Sequence, residues 1–305
     1  MSAPLAILYE HPQWFVPLFD TLDRRGIAYQ AISLTDHGFD LADDPPAPLI
    51  FNRVAQSGFL RETHHPIFYT AALLDHWRRR GARVLNGPEV LAIDSSKARQ
   101  LSLIAGLGFD VPETRVVHRP QDLVRTAEGM SWPLLVKANI GGSGAGIVRY
   151  SSAEELARSV AEGSVPDSID KVLLLQDYVP PRGGTIVRIE TLGGKYLYAI
   201  EIESGGDSFD LCPADACMIQ PGRKAIAMRA IDPPAELIAA AEQIAQAVGM
   251  DIGGVEVVID DRNGAARFYD INALSNFVAK PLDVLGWDPH ERLVDFLEAR
   301  IGELT

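Results

Sequence analysis

Leu134-Leu135-Val136-Lys137-Ala138-Asn139-Ile140-Gly141-Gly142-Ser143-Gly144-Ala145-Gly146-Ile147-Val148 is the stretch on which the reading of this chain turns. An apolar run carrying one lysine reads as a buried strand, and Ile147-Val148 open a second one. The glycines between them make a loop rather than a packing element. Backbone N–H groups in such a loop, with an ammonium at its root, can share the charge of a polyphosphate. Two commoner phosphate loops fail on order. A Walker A loop needs Lys-Ser/Thr after its last glycine, and a Rossmann fingerprint opens a helix, whereas this loop opens a strand. What remains is a hairpin able to fold over a nucleotide, or, more plainly, a glycine-rich hairpin with a solvated lysine.

On the N-terminal side, strands at 5–9, 27–33, 49–53 and 83–85 alternate with helices at 12–25 and 66–80, the pattern of a parallel α/β sheet. Ligands of such sheets sit beyond the carboxyl ends of the strands. Arg53 stands at such an end, either as a surface arginine or as a cation facing a substrate carboxylate. Asp94-Ser95-Ser96 caps a helix over 97–107. Strands follow at 115–118 and 172–176, with a short helix at 120–128 and another helix opened by the capping pattern at Ser151 and Ser152 and ending near Gly163. Pro180-Pro181-Arg182-Gly183-Gly184 is the strongest hinge signal in the chain. Beyond it lie a hairpin (185–191 and 196–202), an irregular segment (204–223), an amphipathic helix (233–248), a second hairpin (254–260 and 266–271) and a last helix (289–300).

The second hairpin carries chemistry. Asp270 and Asn272 are two apart on one strand and leave the same face, and Glu256 can lie across from them. Two carboxylates and an amide oxygen form a hard donor set that suits Mg²⁺ arriving with phosphate. The competing reading is the solvated side of an edge hairpin. Tyr269 and Ile271 argue against it, because they require the opposite face to be buried.

The whole chain narrows the classes. At 305 residues, 47% hydrophobic and 23% charged, it is an ordinary globular sequence with room for two or three subdomains. Its formal net charge of −13, without a basic patch, argues against nucleic acid, while local cations still allow an anionic small ligand. No apolar run is long enough for a bilayer, and the N-terminal apolar residues are too few for a signal peptide. Two cysteines, Cys212 and Cys217, need no disulfide framework and read as reduced thiols in a cytoplasmic protein. His64-His65 reads as a solvated loop pair.

Ser96-Lys97, Val136-Lys137 with Gly141 to Gly146, Gln176-Asp177-Tyr178-Val179, Arg188, Gly254-Val255-Glu256 and Asp270-Ile271-Asn272, in that order, resemble the ATP-grasp superfamily and within it the RimK-type carboxylate–amine ligases. The similarity runs from Asn52-Arg53 to Asn276. It implies a three-subdomain ATP-grasp fold, α+β in its catalytic part, behind an N-terminal parallel α/β domain. The expected intervals are 1–94, 95–180 with the glycine loop, and 181–305 with the metal site. By resemblance, Lys97 and Lys137 contact ATP phosphates, and Gly141, Gly142, Ser143 and Gly144 close over them. Gln176, Asp177, Tyr178 and Val179 line the adenine slot, with backbone hydrogen bonds from Asp177 and Val179. Arg188 and Lys137 are the catalytic cations, and Glu256, Asp270 and Asn272 hold one or two Mg²⁺, with Mn²⁺ as an alternative.

The implied reaction joins a small-molecule or peptide carboxylate to an amine through an acyl phosphate. A homo-oligomer is allowed. Two other functions stay open, a small-molecule kinase and a nucleotide-binding module without turnover. The chain also departs from the family pattern. Ile186 replaces an acid that often contacts ribose, Asp270 stands where glutamate is commoner, and Leu274-Ser275-Asn276 replaces a Pro-Gly bend. Ser275 and Asn276 are therefore either substrate-facing or plain loop.

Overall fold

The computed structural model describes residues 3–61, 64–142, 144–204 and 227–304. Ser143, Cys212, Cys217 and all but Ser204 of the 204–223 segment lie outside these residues.

Strands β1 (Leu5–Tyr9), β2 (Tyr29–Ser33), β3 (Leu49–Arg53) and β4 (Arg83–Leu85) form the expected parallel sheet, in the order β2-β1-β3-β4. β3 is buried along its whole length, its apolar Leu49-Ile50-Phe51 as expected in a parallel sheet and its polar end, Asn52 and Arg53, with them. The helix expected at 12–25 is split into a 3₁₀ turn (Pro12–Phe15) and α1 (Val16–Arg24). A proline stands near the start of each piece, where its missing N–H leaves no unpaired carbonyl. Helix α2 (Ile67–Arg79) follows β3, and α3 (Pro88–Asp94), which the sequence did not announce, follows β4.

Helix α4 (Lys97–Gly106) begins at Ser96, whose Oγ accepts from the Arg99 N–H at 3.4 Å. The second sheet is antiparallel: β5 (Thr114–Val117), β6 (Leu134–Ala138), β7 (Ile147–Tyr150) and β8 (Leu173–Asp177), in the order β5-β8-β6-β7. Helices α5 (Leu123–Thr126) and α6 (Ala153–Glu162) bury Leu123 and Leu156 against Leu134, Val136 and Leu175. The opening stretch is thus the β6–β7 hairpin, with Lys137 opposite Ile147.

The third sheet, also antiparallel, contains β9 (Thr185–Leu192), β10 (Lys195–Glu203), β11 (Met228–Ile231), β12 (Ile252–Ile259) and β13 (Ala266–Asn272), in the order β11-β10-β9-β12-β13. Helix α7 (Ala235–Val248) packs on one face, where Ile244 joins Val255, with Val90 of α3 and Ile104 of α4 in the same core. A second core on this sheet gathers Ile200 and Ile252 with Leu5, Ile7 and Leu18 of the N-terminal region. It also includes Leu293 and Val294 of α9 (Pro289–Gly302), which follows the short α8 (Pro281–Val284). The packing units therefore do not follow the chain intervals: 88–111 packs on the third sheet and the last helix on the first.

The β12–β13 register contains a bulge. Glu256 faces Asp270, but the next pair is Val257 with Phe268, so Tyr269 is the extra residue. Phe268 and Ile271 fill the α7-side core, while Tyr269 turns to the side of Asp270. This corrects the sequence reading of Tyr269 as an inward-facing partner of Ile271. The hinge at 180–184 is pinned to this hairpin, since Pro181 bridges to Asp260 and the Asp261 N–H donates to the Pro180 carbonyl at 2.9 Å. Among the described residues no helix is long and apolar enough to cross a membrane.

Candidate active site

One cavity collects residues from the second and third sheets, with Trp14 and the turn after β3 on its N-terminal side. Its charged floor is a row across three strands of the third sheet, because Arg188 on β9 faces Glu256 on β12, which faces Asp270 on β13. The neighbouring row is Glu190, Gly254 and Asn272. Arg188 Nε donates to Glu190 Oε1 at 2.6 Å and its Nη1 to Glu256 Oε1 at 3.2 Å. Asn272 Nδ2 donates to the same Glu256 oxygen at 3.2 Å. Gly254 makes this packing possible. A Cβ at that position would stand 2.7 Å from Arg188 Nε and 2.8 Å from Glu190 Oε1.

Two lysines face the row. Lys97, at the start of α4, donates from Nζ to Asp270 Oδ1 at 2.5 Å. Lys137, at the end of β6, is buried and places its Nζ 5.6 Å from the centre of the bulged Tyr269 ring. Asn139 ties the two elements together. Its carbonyl accepts from the Lys97 N–H at 3.2 Å, and its side-chain Oδ1 from the Ala98 N–H at 2.9 Å.

Crowding of charge in a buried place shifts these groups. Burial lowers Lys137 to about 8, with the Lys97 charge adding to the effect and Asp270 and Glu256 opposing it. Burial, then the Asp270 carboxylate, raises Glu256 above the usual carboxylate range, while Arg188 pulls it back. Burial alone would depress Arg188, but Glu190 and Glu256 outweigh it and hold the guanidinium firmly charged. Desolvation at the cavity wall pushes Asp94 up to about 6.

The glycine hairpin forms one wall. Gly142 lies against the N-terminal region so closely that a Cβ there would be 2.6 Å from Ser57 Cβ. Gly146, at φ +72°, would place a Cβ 2.7 Å from that of Ala138. Gly141, Gly142 and Gly144 all border the cavity. At its far end lie Gln176, Asp177, Tyr178 and Val179, with Ile186 beside them. Gln176 Nε2 donates to Thr114 Oγ1 at 2.8 Å, and Arg149 stacks 4.3 Å from the Tyr178 ring centre. The Asp177 N–H is already spent on the Glu113 carbonyl at 2.9 Å, so that donor is not what Asp177 offers a base.

Two expected substrate contacts are not where the sequence suggested. Arg53 is 2% exposed and does not reach the cavity. Its guanidinium donates to the carbonyls of Ala273 and Ser275 and lies between the rings of Phe15 and Phe51, at 5.6 and 5.1 Å from their centres. The β3 end points into the protein because the loop after β13 covers it. Ser275 is also buried, its Oγ accepting from the Phe277 N–H at 3.1 Å. Only Asn276 of the three borders the cavity. Residues that motif reading passed over complete the near wall: Trp14, Gln56, Ser57 and Asp94. The usable signal for Gln56 was its place just beyond the carboxyl end of β3.

Glu256, Asp270 and Asn272 bring two carboxylates and an amide together on one face, and Glu256 is already raised by burial and by Asp270. A divalent cation would relieve that crowding, and the all-oxygen set fits Mg²⁺. Facing lysines and a glycine loop suit a polyphosphate.

The RimK-like ATP-grasp domain family matches residues 94–281. A probable alpha-L-glutamate ligase of Stutzerimonas stutzeri (strain A1501) is 26% identical over 243 residues, spanning 77% of this chain and 73% of that one. A ribosomal protein bS6–L-glutamate ligase of Salmonella newport (strain SL254) is 28% identical over 199 residues, 63% of this chain and 60% of that protein. Among solved structures, the ATP-grasp ligase PsnB complexed with minimal precursor, Mg and ADP superposes with a TM-score of 0.68 at 17% identity, covering 98% of this chain and 97% of that one.

Proposed function

The chain belongs to the RimK-like ATP-grasp family, and from that membership we infer that it is an ATP-dependent carboxylate–amine ligase acting on an amino acid or peptide. The observation that carries this reading is the row Arg188–Glu256–Asp270 facing Lys97 and Lys137 in one cavity. ATP-grasp ligases use ATP and Mg²⁺. The glutamate ligase relatives and the precursor-bound neighbour support the substrate class.

In this reading the adenine lies along Gln176 to Val179 and the phosphates between Lys97, Lys137 and the glycine hairpin. Gly141, Gly142 and Gly144, and Ser143 by its place in the sequence, close over them. Glu256, Asp270 and Asn272 would hold one or two Mg²⁺, which would supply charge neutralisation at the phosphates. Arg188, kept charged by Glu190 and Glu256, stands where charge develops on the transferred phosphoryl group. The substrate carboxylate oxygen bonds to the γ-phosphorus as the bond to ADP breaks, giving an acyl phosphate. The amine nitrogen then displaces phosphate to form the amide. The protein's part is positioning and charge stabilisation, since phosphoryl transfer needs little covalent chemistry from side chains. Asn276, at the cavity edge, is retained as a substrate contact; Arg53 and Ser275 act as scaffold.

The test is ADP release by the purified chain with MgATP against a panel of amino acids and short peptides. Release that needs both an acid and an amine supports ligation. A stable phosphorylated product from a single substrate would overturn it in favour of a kinase.

A further inference from the structure

Two buried acceptor atoms, on residues that line the cavity, have no hydrogen-bond donor. Gln56 is 9% exposed and begins the 3₁₀ turn Gln56–Leu60 after β3. Its Nε2 donates to Asp94 Oδ2 at 2.6 Å, and its Oε1 has no hydrogen-bond partner. Chemistry fixes this orientation. Asp94 Oδ1 accepts from the Ala273 N–H at 2.8 Å, and with its value raised only to about 6 the group is ionised at neutral pH, so its Oδ2 is an acceptor and the amide nitrogen faces it. The second atom is Asn276 Oδ1, also buried and without a partner. Leaving such an acceptor unpaired costs about 1–3 kcal/mol, so a group that brings a donor is expected there.

Their place says which group. Asp94 links Gln56 to the backbone of Ala273, the residue after Asn272, so the orphan oxygens lie at the phosphate end, away from Gln176 to Val179. Carboxylates and phosphates offer acceptors only and gain nothing from two carbonyl oxygens. An amine offers N–H donors. The cavity also continues outward on this side, because a second cleft shares Trp14 and Asn276 with it and runs past Pro17, Val278 and Leu282.

We propose that Gln56 Oε1 and Asn276 Oδ1 receive the N–H groups of the amino-acid or peptide amine and hold its lone pair towards the acyl phosphate, an assignment that rests on the ligase reading. As the amine nitrogen forms the C–N bond, the C–O bond to phosphate breaks. Phosphate leaves with that electron pair and takes the proton that the nitrogen loses, so amide and hydrogen phosphate are the products. The outer cleft admits the amine from the side opposite ATP.

The test compares two nucleophiles in the full chain with MgATP and each of the common L-amino acids and a panel of short peptides as acid. Hydroxylamine, small and strongly nucleophilic, traps an acyl phosphate as hydroxamate without an oriented site; the L-amino acids serve as the specific amines. In Q56M the ratio of amino-acid coupling to hydroxamate trapping is expected to fall about tenfold or more, the loss of one hydrogen bond of about 1.4 kcal/mol. The KM for the amine should rise while that for ATP stays put. N276A should move the same ratio in the same direction, which keeps the test valid if one variant folds poorly. An unchanged ratio in both variants, whether the two activities hold or fall together, overturns the assignment. Wild-type hydroxamate without coupling of any amino acid overturns it as an amino-acid amine site. No hydroxamate with any acid overturns the ligase reading, and this assignment with it.

Discussion

At the residue scale the floor of the cavity depends on one missing side chain. A methyl at Gly254 would occupy the space of the Arg188–Glu190 contact, so G254A is expected to lower kcat by about two orders of magnitude, the scale for losing a preorganised cationic contact in a transition state. A thermal melt should show the chain still folded. Lys137 gives a pH prediction. Its folded-state value of about 8 lies below the ordinary 10.5, and only the ammonium serves phosphate. In kcat/KM for ATP, which reports the free enzyme, activity should decline as pH rises through about 8. The stability sign is opposite. The unfolded chain binds more protons between these two values, so the cost of burying this ammonium is relieved as pH climbs through that window. A profile flat to pH 10 would remove Lys137 from the phosphate site. The double variant D270A/N272A should abolish ATP turnover while keeping the fold; retained turnover would refute the metal assignment.

At the element scale the glycine hairpin and the β12–β13 hairpin behave differently. The tip of the first is set against Ser57, and G142A is expected to hold it away and raise the KM for ATP about tenfold, an effect of about 1.4 kcal/mol. The pair S57G/G142A restores the space, so recovery there identifies the contact as the cause. The second hairpin is anchored by Asp260, which accepts from Arg262 Nε at 2.9 Å and Arg267 Nε at 3.2 Å and is held well below the usual carboxylate range by Arg262 above all. That stability is present above the unfolded carboxylate value and disappears as acid protonates the group. D260A should cost about 1–3 kcal/mol in denaturant melts, because it removes the buried acceptor of the Arg262 backbone N–H and of the solvent-facing Arg262 and half-buried Arg267 side chains. Arg262 also reaches Asp177 at 2.8 Å, so loosening the turn should weaken ATP binding as well. These elements were legible because glycine clusters and alternating polar residues are local signals. The bulge at Tyr269 was not, since a one-residue slip in register has no mark in a strand of uniformly good β-formers.

At the scale of the whole molecule, the sequence announced the parallel N-terminal sheet, both antiparallel hairpins and the order of the charged residues. Arg53 shows what it could not announce. Its position at a strand end was read correctly, but its direction depends on the Ala273–Ser275 backbone, more than two hundred residues away. Trp14 and Asp94 were hidden for the same reason, and Gln56 was marked only by its place after β3, as no spacing rule connects that turn to the end of β13. A ligand that bridges these regions should stabilise them together. At a concentration about 100 times its Kd, MgATP is expected to add about 2.7 kcal/mol, seen as a rise in Tm of a few degrees that the D270A/N272A variant loses. The cavity draws on Trp14 at one extreme and Phe277 at the other, with β13 among the last elements to be made. During synthesis, then, a ribosome-bound chain carries Lys97, Lys137 and the glycine loop long before Asp270 and Asn272 emerge, so a chain halted before Asp270 lacks one face of the cavity.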